Sequence, residues 1–387
     1  MTDIICFPDA TWDAPLWTNR QHMMLRLART GAFRILYVNP PALGAVRALV
    51  RGKGSNGLLE QPEAQLWVLH LPLPAPNRIV RNRLPQVYDA LTLLGTRIAA
   101  RRLGFERPMI WSYSPFVANY LHDLAGEFVI YDCVDRYPQL PFYAARGAQV
   151  RQLDAQMTQQ ADVVLCTSRL LYEEKQAHNP RCYLVGNAAD VELFGQARSG
   201  TLPVPAELQG IPKPIIGFHG ALDNHRIDYD LLRTIARTRP DWSLVLIGPQ
   251  TPTPDLEWLT HEPNVRLIGK KALHELPPYV AQYDVAMLPY RLTDYVRGLS
   301  PLKIYEYLAA GKPVVAVPVP HITAFDVVRI APTPAAFIAQ IEAALTDTDA
   351  AAIARRVEVA AQHSWEAKLR RVLELVPELH GAAVGAL

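Results

Sequence analysis

The feature that most constrains this chain is an order that occurs twice: short, continuous apolar runs alternate with helix-periodic stretches on either side of a Gly- and Pro-rich break. The runs of the first series are Ile4 to Phe7, Arg34 to Val38, Leu66 to His70, Met109 to Trp111, Phe128 to Asp132, Val163 to Thr167 and Tyr183 to Val185. They are apolar almost throughout rather than at alternate positions, as strands are when helices cover both faces of a parallel sheet. Thr18 to Arg29 has the apolar period of a helix and completes a βαβ unit with the first two runs. After Val185 the pattern gives way to Gly186-Asn187-Ala188-Ala189-Asp190 and then to Gly195 to Pro214, which sustains no helical period and reads as a linker. The second series has strands at Ile215 to His219, Leu244 to Ile247, Val265 to Leu267, Val285 to Leu288 and Val314 to Val317. Its helices are Tyr229 to Arg237, Leu273 to Gln282, Leu302 to Ala310 and terminal segments from Pro334 onward. Two Rossmann-like, doubly wound α/β domains are predicted, residues 1–190 joined by 365–387, and residues 191–364. A chain of 387 residues also exceeds what one hydrophobic core usually supports.

Ligands of open α/β sheets bind at the carboxyl ends of the strands, so two such domains facing each other imply one central cleft. The composition, 50% apolar and 20% charged, fits a folded globular protein. Met1 to Asp9 carries acidic residues where a secretory signal carries basic ones, and no run reaches the roughly 18–20 apolar residues of a membrane span, so a cytoplasmic location is expected. Cys6, Cys133, Cys166 and Cys182 show no metal-ligand spacing and read as buried, reduced thiols. Charge is uneven: residues 1–122 hold 14 Lys and Arg against 7 Asp and Glu. Between Asn77 and Gly104, Arg78, Arg81, Arg83, Arg97, Arg101 and Arg102 interleave with leucines, isoleucines and valines. That is the composition of a basic amphipathic element at an anionic membrane surface. The basic residues form no nucleic-acid module.

The most informative segment runs from Arg297 to Ala316, where a Gly/Ser/Pro turn opens a short helix, Gly311 ends it and an apolar strand follows. Pro301 suits the first helical turn, and the free amides there, with the positive end of the helix dipole, make a diphosphate site around Ser300, Pro301 and Leu302. Lys303 adds a full positive charge, and Glu306, one turn on along the same face, is placed to accept ribose hydroxyls. His219-Gly220 closes the first strand of the second series; Gly220 lets the backbone approach a phosphate or sugar, and His219 is a candidate donor ligand. In the first domain, Tyr131-Asp132-Cys133-Val134-Asp135-Arg136 follows a strand and offers a base for an acceptor hydroxyl. Asp135 leads, Asp132 lies nearer the strand as a brace, and Asp9 and Asp13 of the first loop are rivals. Trp12 of that loop is a candidate platform for a sugar ring.

The segment from Arg297 to Ala316 resembles the donor-binding signature of GT-B glycosyltransferases, in particular the group 1 (GT4-like) class. Val265 to Lys270, with Leu276-Pro277-Pro278-Tyr279 and Tyr283 to Tyr290, resembles the stretch that frames the nucleobase, which implies donor roles for Gly269 and Lys270. Val185 to Asp190 resembles the interdomain hinge, and Ser364-Trp365-Glu366 the return of the last helix to the first domain. Trp12-Asp13 with Arg20-Gln21-His22 resembles bacterial cell-envelope enzymes of the teichuronic-acid type, which places Trp12 and Arg20 in acceptor binding. Two departures stand out: Gly298 replaces the acidic residue of the signature, and Arg226 is the lone basic residue after the first strand of the second domain. The resemblance implies transfer of a sugar from a nucleotide-sugar donor, UDP by default, to a glycan or polyprenyl-linked acceptor in cell-envelope polysaccharide synthesis. The first domain is then the acceptor domain and the second the donor domain, with peripheral contact at the inner face of the plasma membrane through residues 77–104. No cofactor is implied, the nucleotide sugar being a co-substrate.

Asp228-Tyr229-Asp230 and Asp347-Thr348-Asp349 match a metal-binding DxD pattern, but the first opens a helix and the second lies between helices, where aspartate caps amides; a metal-independent enzyme is expected. There is no G-x-G-x-x-G after the first strand and no P-loop, which disfavours a nicotinamide oxidoreductase or an ATPase. A nucleotide-sugar 2-epimerase of the same fold and a catalytically silent nucleotide-binding module are the competing readings.

Overall fold

The apolar runs pair into two sheets in the computed structural model, which describes residues 1–14, 17–42, 58–73, 80 and 83–379. The first sheet holds β1 (Thr2–Phe7), β2 (Phe33–Val38), β3 (Leu59–Glu63), β4 (Leu66–Leu69), β5 (Met109–Ser112), β6 (Phe128–Cys133), β7 (Val163–Cys166) and β8 (Cys182–Leu184), in the order β3-β4-β2-β1-β5-β6-β7-β8. Only β3 and β4 pair antiparallel. The second sheet holds β9 (Ile215–His219), β10 (Ser243–Ile247), β11 (Val265–Gly269), β12 (Val285–Leu288), β13 (Val314–Ala316) and β14 (Val328–Ile330), all parallel, in the order β11-β10-β9-β12-β13-β14. Strand direction of travel reverses between β1 and β5 in one sheet and between β9 and β12 in the other, and these switch points are where open α/β sheets hold ligands.

The uniform burial of β9, β10 and β12 explains why their sequences lack alternation: helices cover both faces. β3 and β14 escape the sequence reading, β3 because Leu-Glu-Gln-Pro-Glu is polar and lies at an edge, β14 because Val328-Arg329-Ile330, also at an edge, carries a charge at its centre. All four cysteines are free and buried.

The chain divides into two compact units, residues 1–167, 171–185 and 369–387, and residues 168–170 and 186–368. The boundaries thus fall earlier at the hinge and later at the return than the predicted 190 and 365. Local bonding explains the shift. The Asn187 backbone N–H and side-chain Nδ2 donate to Ser300 Oγ (3.3 Å) and Ser300 C=O (2.8 Å), Ala189 N–H donates to His363 C=O (3.0 Å), and Lys368 Nζ donates to Gly186 C=O (2.9 Å). Residues 186–190 and 365–368 are therefore fastened to the second unit. Each unit has its own core, around Ile5, Leu36, Ile110 and Tyr131 in the first and Ile216, Phe218, Val245, Met287 and Ile304 in the second.

One helix of the first unit packs in an unusual sense. Pro85–Arg102 buries Tyr88, Thr92, Thr96, Ala99 and Ala100, and the two threonine hydroxyls are satisfied by the carbonyls one turn back, at 2.8 and 2.6 Å. Its large apolar residues point outward: with Leu84 just before it, Val87, Leu91, Leu94 and Ile98 repeat at spacings of three and four, and Leu94 and Ile98 are 59% and 58% exposed. Of the basic element predicted here, residues 77–79, 81 and 82, including Arg78 and Arg81, lie outside the described residues. Among the described residues no helix is long and apolar enough to cross a membrane.

Candidate active site

In the second unit, the carboxyl ends of β9, β10 and β11 are tied together by glycine. Gly220 N–H donates to Ile247 C=O and Gly248 N–H to Gly269 C=O, both at 2.8 Å. Gly220 and Gly248 have φ of +148° and +150°, which side chains rarely adopt. A Cβ on Gly220 would lie 2.8 Å from Lys303 Cε, and one on Gly248 would run into the Gly220 carbonyl, so the bare backbone is what lets Lys303 lie across the strand ends. Gly248 was not singled out by the sequence; a glycine immediately after an apolar strand, as in Leu246-Ile247-Gly248-Pro249, is the signal that would have found it.

The helix Leu302–Ala309 begins beside these strand ends. Pro301 is its N-cap, at ψ 125°, not a residue of its first turn as the sequence suggested, and no side chain caps the helix among the described residues. Its first amides are therefore left for water or a ligand. Lys303 is half-buried, and among the described residues its ammonium makes no hydrogen bond or ion pair. Burial lowers its pKa, with Glu306 opposing and Arg226 adding to the fall, as befits a cation short of negative charge.

Glu306 is buried and faces His219, whose Nε2 lies 2.6 Å from Glu306 Oε2. The histidine is locked: its backbone N–H donates to Tyr307 Oη at 2.9 Å, Tyr307 meets its ring edge-on, and Phe194 stacks on it. Burial lowers the His219 pKa despite the carboxylate, so the ring is neutral near pH 7 and its Nε2 proton serves Glu306. Nδ1 is then a buried acceptor with no donor among the described residues. Arg226 forms an ion pair with Asp223 at 2.7 Å in the loop after β9. Gly269 ends β11 and Lys270 follows it, exposed. Leu302 is half-buried at the helix start. Ser300, expected at the donor, is buried with its hydroxyl 3.1 Å from His321 Nε2 and accepting from the Asn187 amide, so its side chain fastens the hinge instead.

In the first unit the polar centre lies at the carboxyl ends of β1, β5 and β6. Arg20, on the helix Asn19–Arg29, forms ion pairs with Asp9 and, at 3.6 Å, with Asp135, donates to Thr18 Oγ1 at 3.1 Å, and lies over the Tyr113 ring. Burial would lower its pKa, but Asp9, Tyr137 and Asp135 outweigh it and raise the pKa further. Tyr137, which the sequence reading missed, donates to Asp9 Oδ2 at 2.9 Å. Arg20 was expected to touch acceptor; it is buried and committed to carboxylates. Asp132 is 1% exposed and accepts from Asn19 Nδ2 (3.5 Å) and Trp111 Nε1 (3.4 Å), whereas the Asp135 side chain is 21% exposed. Asp13 is exposed in the turn after β1. Trp12 is buried, tilted against Trp17 and edge-on to Tyr37, with its amide on Asn39 Oδ1, so its ring faces protein rather than a sugar.

The two DxD pairs are accounted for locally: Asp228 Oδ1 accepts from Leu231 N–H at 2.9 Å and Asp349 Oδ2 from Ala352 N–H at 3.2 Å, each capping a helix.

Residues 213–347 match the family profile of glycosyl transferases group 1. The chain is 28% identical over 253 residues to TuaH of Bacillus subtilis (strain 168), whose name assigns it as a glycosyltransferase to teichuronic acid biosynthesis; the match covers 62% of this chain and 61% of TuaH, less than two thirds of that relative's length. Among solved structures, sucrose-phosphate synthase of Thermosynechococcus elongatus superposes with a TM-score of 0.74 at 17% identity, covering 99% of this chain and 100% of that one. HepE of Anabaena, solved with UDP-glucose, superposes with a TM-score of 0.66 at 14% identity, covering 97% and 99%. At such identities these likenesses show the fold. The match to the group 1 glycosyl transferases thus lies in residues 213–347, and across the whole chain the likeness to these glycosyltransferases is one of GT-B fold.

Proposed function

We propose that the chain transfers a sugar from a nucleoside diphosphate donor, UDP first among them, to a glycan or polyprenyl-linked acceptor in cell-envelope polysaccharide synthesis. The observation that carries this is Lys303, its side chain against Gly220 and its ammonium without a hydrogen bond or ion pair among the described residues, beside a helix start that no described side chain caps, with Glu306 one turn further on. A diphosphate supplies the charge that Lys303 and the helix amides lack, and Glu306, oriented by His219, accepts the ribose hydroxyls. Structures of HepE with UDP and with UDP-glucose support a uridine nucleotide as the first to test.

In the reaction, the bond from the anomeric carbon to the diphosphate oxygen breaks as the acceptor oxygen bonds to that carbon. The leaving nucleoside diphosphate takes the electron pair, and Lys303 with the helix amides stabilises its charge. Asp135, in the loop after β6 and more open than Asp132 within it, takes the acceptor proton; Arg20 positions it beside Asp9, and Asp132 braces the strand. No metal or cofactor is part of the proposal.

The outward apolar stripe of helix Pro85–Arg102, with Arg83, Arg97, Arg101 and Arg102 near it, supports a cytoplasmic protein docked on anionic lipid at the inner face of the plasma membrane. Wild type is expected to float with anionic liposomes, and a Leu94→Asp/Ile98→Asp variant to stay in solution; equal flotation of both, or of neither, overturns the docking.

A thermal-shift panel of nucleoside diphosphates tests the transferase reading. One nucleotide should raise the melting temperature of wild type by a margin that Glu306→Ala largely loses. No stabilisation by any nucleotide overturns it.

A further inference from the structure

A second cavity lies at the other end of the second sheet. Its wall is formed by residues that lead into the strands: Pro214 before β9, Tyr283 and Asp284 before β12, and Lys312 and Pro313 before β13. The donor residues sit at the carboxyl ends, so roughly 15 Å of strand separates the two sites, at about 3.3 Å per residue. The cavity has a volume of about 790 Å³, within the roughly 300–1,000 Å³ range of small-molecule pockets.

Arg198, Lys213, Lys312 and Arg356 line it, against the carboxylates of Asp284 and Asp347. Both carboxylates are already matched: Lys213 pairs with Asp284 at 3.1 Å, and Asp347 takes Arg356 at 3.1 Å and Arg329 at 3.3 Å. Arg198 and Lys312 have no carboxylate partner among the described residues. Arg198 Nε donates to Ala309 C=O at 3.0 Å and Lys312 Nζ to Ala281 C=O at 2.8 Å, which leaves both with further donors. Both side chains line the cavity, and the Arg198 chain lies against Gly311, the residue before Lys312, where a Cβ would meet Arg198 Cδ at 3.2 Å. Burial and the nearby Lys213 pull the Lys312 ammonium down to about 8, although Asp284 opposes the fall. Tyr283, also lining the cavity, has a buried hydroxyl without a partner among the described residues.

We infer that this cavity is a second, phosphate-binding site, which takes a small phosphate-bearing molecule with its oxyanion on Lys312 and Arg198. The transfer chemistry uses none of these side chains. The same helix reaches both sites: its amino end faces the donor residues, while Arg198 and Arg356 hold the carbonyls of Ala309 and Gly311 at its other end. A charged ligand here is met by charge-assisted bonds, the stronger kind.

The test is calorimetric titration of inorganic phosphate into the full chain carrying Lys303→Met, which weakens phosphate binding at the donor helix, and into the same chain with Lys312→Gln or Arg198→Gln added. The Lys303→Met chain should retain a phosphate site, and each added substitution should weaken it by about tenfold or more. Arg198 is exposed, so its variant keeps the test alive should Lys312→Gln fail to fold, which thermal unfolding reports. Absence of phosphate binding in the Lys303→Met chain, or binding unchanged by a folded variant, overturns the inference.

Discussion

The polar centres of the two units are opposites. In the first, the buried guanidinium of Arg20 is flanked by Asp9 and Asp135, and Tyr137 bonds to Asp9, so positive and negative charge are matched within the protein. In the second, among the described residues, Lys303 makes no ion pair, the helix start has no side-chain cap, and His219 Nδ1 has no donor. One centre has its charges matched, and the other has a cation short of negative charge. A buried polar group left unsatisfied costs stability, and His219 Nδ1 is one, set beside the switch point of the second sheet where open α/β sheets hold ligands.

Substitutions should separate the two centres. The largest effect is on rate: Asp135→Asn should lower kcat by about 10²–10⁴-fold with nucleotide affinity unchanged, read by steady-state kinetics. A loss under tenfold contradicts a base and points to a retaining route that needs none. Next, Arg20→Met leaves the half-buried Asp9 and Asp135 without their counter-charge and should cost roughly 1–3 kcal/mol in denaturant unfolding. Lys303→Met, by contrast, removes a cation that forms no ion pair among the described residues. It should leave the unliganded protein as stable as wild type while weakening nucleoside diphosphate binding about 10–100-fold by calorimetry. Equal stability losses in the two variants would erase the contrast.

The smallest effect is on pH. Burial lowers the pKa values of His219, His321 and His363, His321 to about 4, and all three lie in the second unit. Between the unfolded value near 6.5 and these lower values the unfolded chain binds protons that the folded chain does not, so stability falls as pH drops through that window. Thermal unfolding should show a loss of roughly 2 kcal/mol from pH 7 to 5, most of it abolished by His321→Gln. A flat profile over that range would contradict the buried neutral rings.

The polar centre of the second unit was the more legible in the sequence because it is local: Ser300 to Gly311 carries turn, helix, cation and carboxylate within one segment, and His219 ends a strand read to the residue. The polar centre of the first unit was less so. Arg20, Asp9, Asp135 and Tyr137 come from separate elements, and nothing in their spacing says that the arginine is buried among the acids rather than open to ligand. Trp12 and Ser300 misled for a related reason: a side chain's type suggests a contact, but packing decides its direction, toward Tyr37 in one case and His321 in the other. The helix Pro85–Arg102 was read as amphipathic, but which face it buries, threonines rather than leucines, emerges only from the fold.

The most direct test is a crystal structure of the chain with the nucleoside diphosphate that stabilises it best. The diphosphate should lie within hydrogen-bond distance of the Leu302 and Lys303 amides and of Lys303 Nζ, with the ribose hydroxyls on Glu306. A nucleotide bound elsewhere, with Lys303 still unpartnered and Glu306 touching only His219, would contradict the donor site.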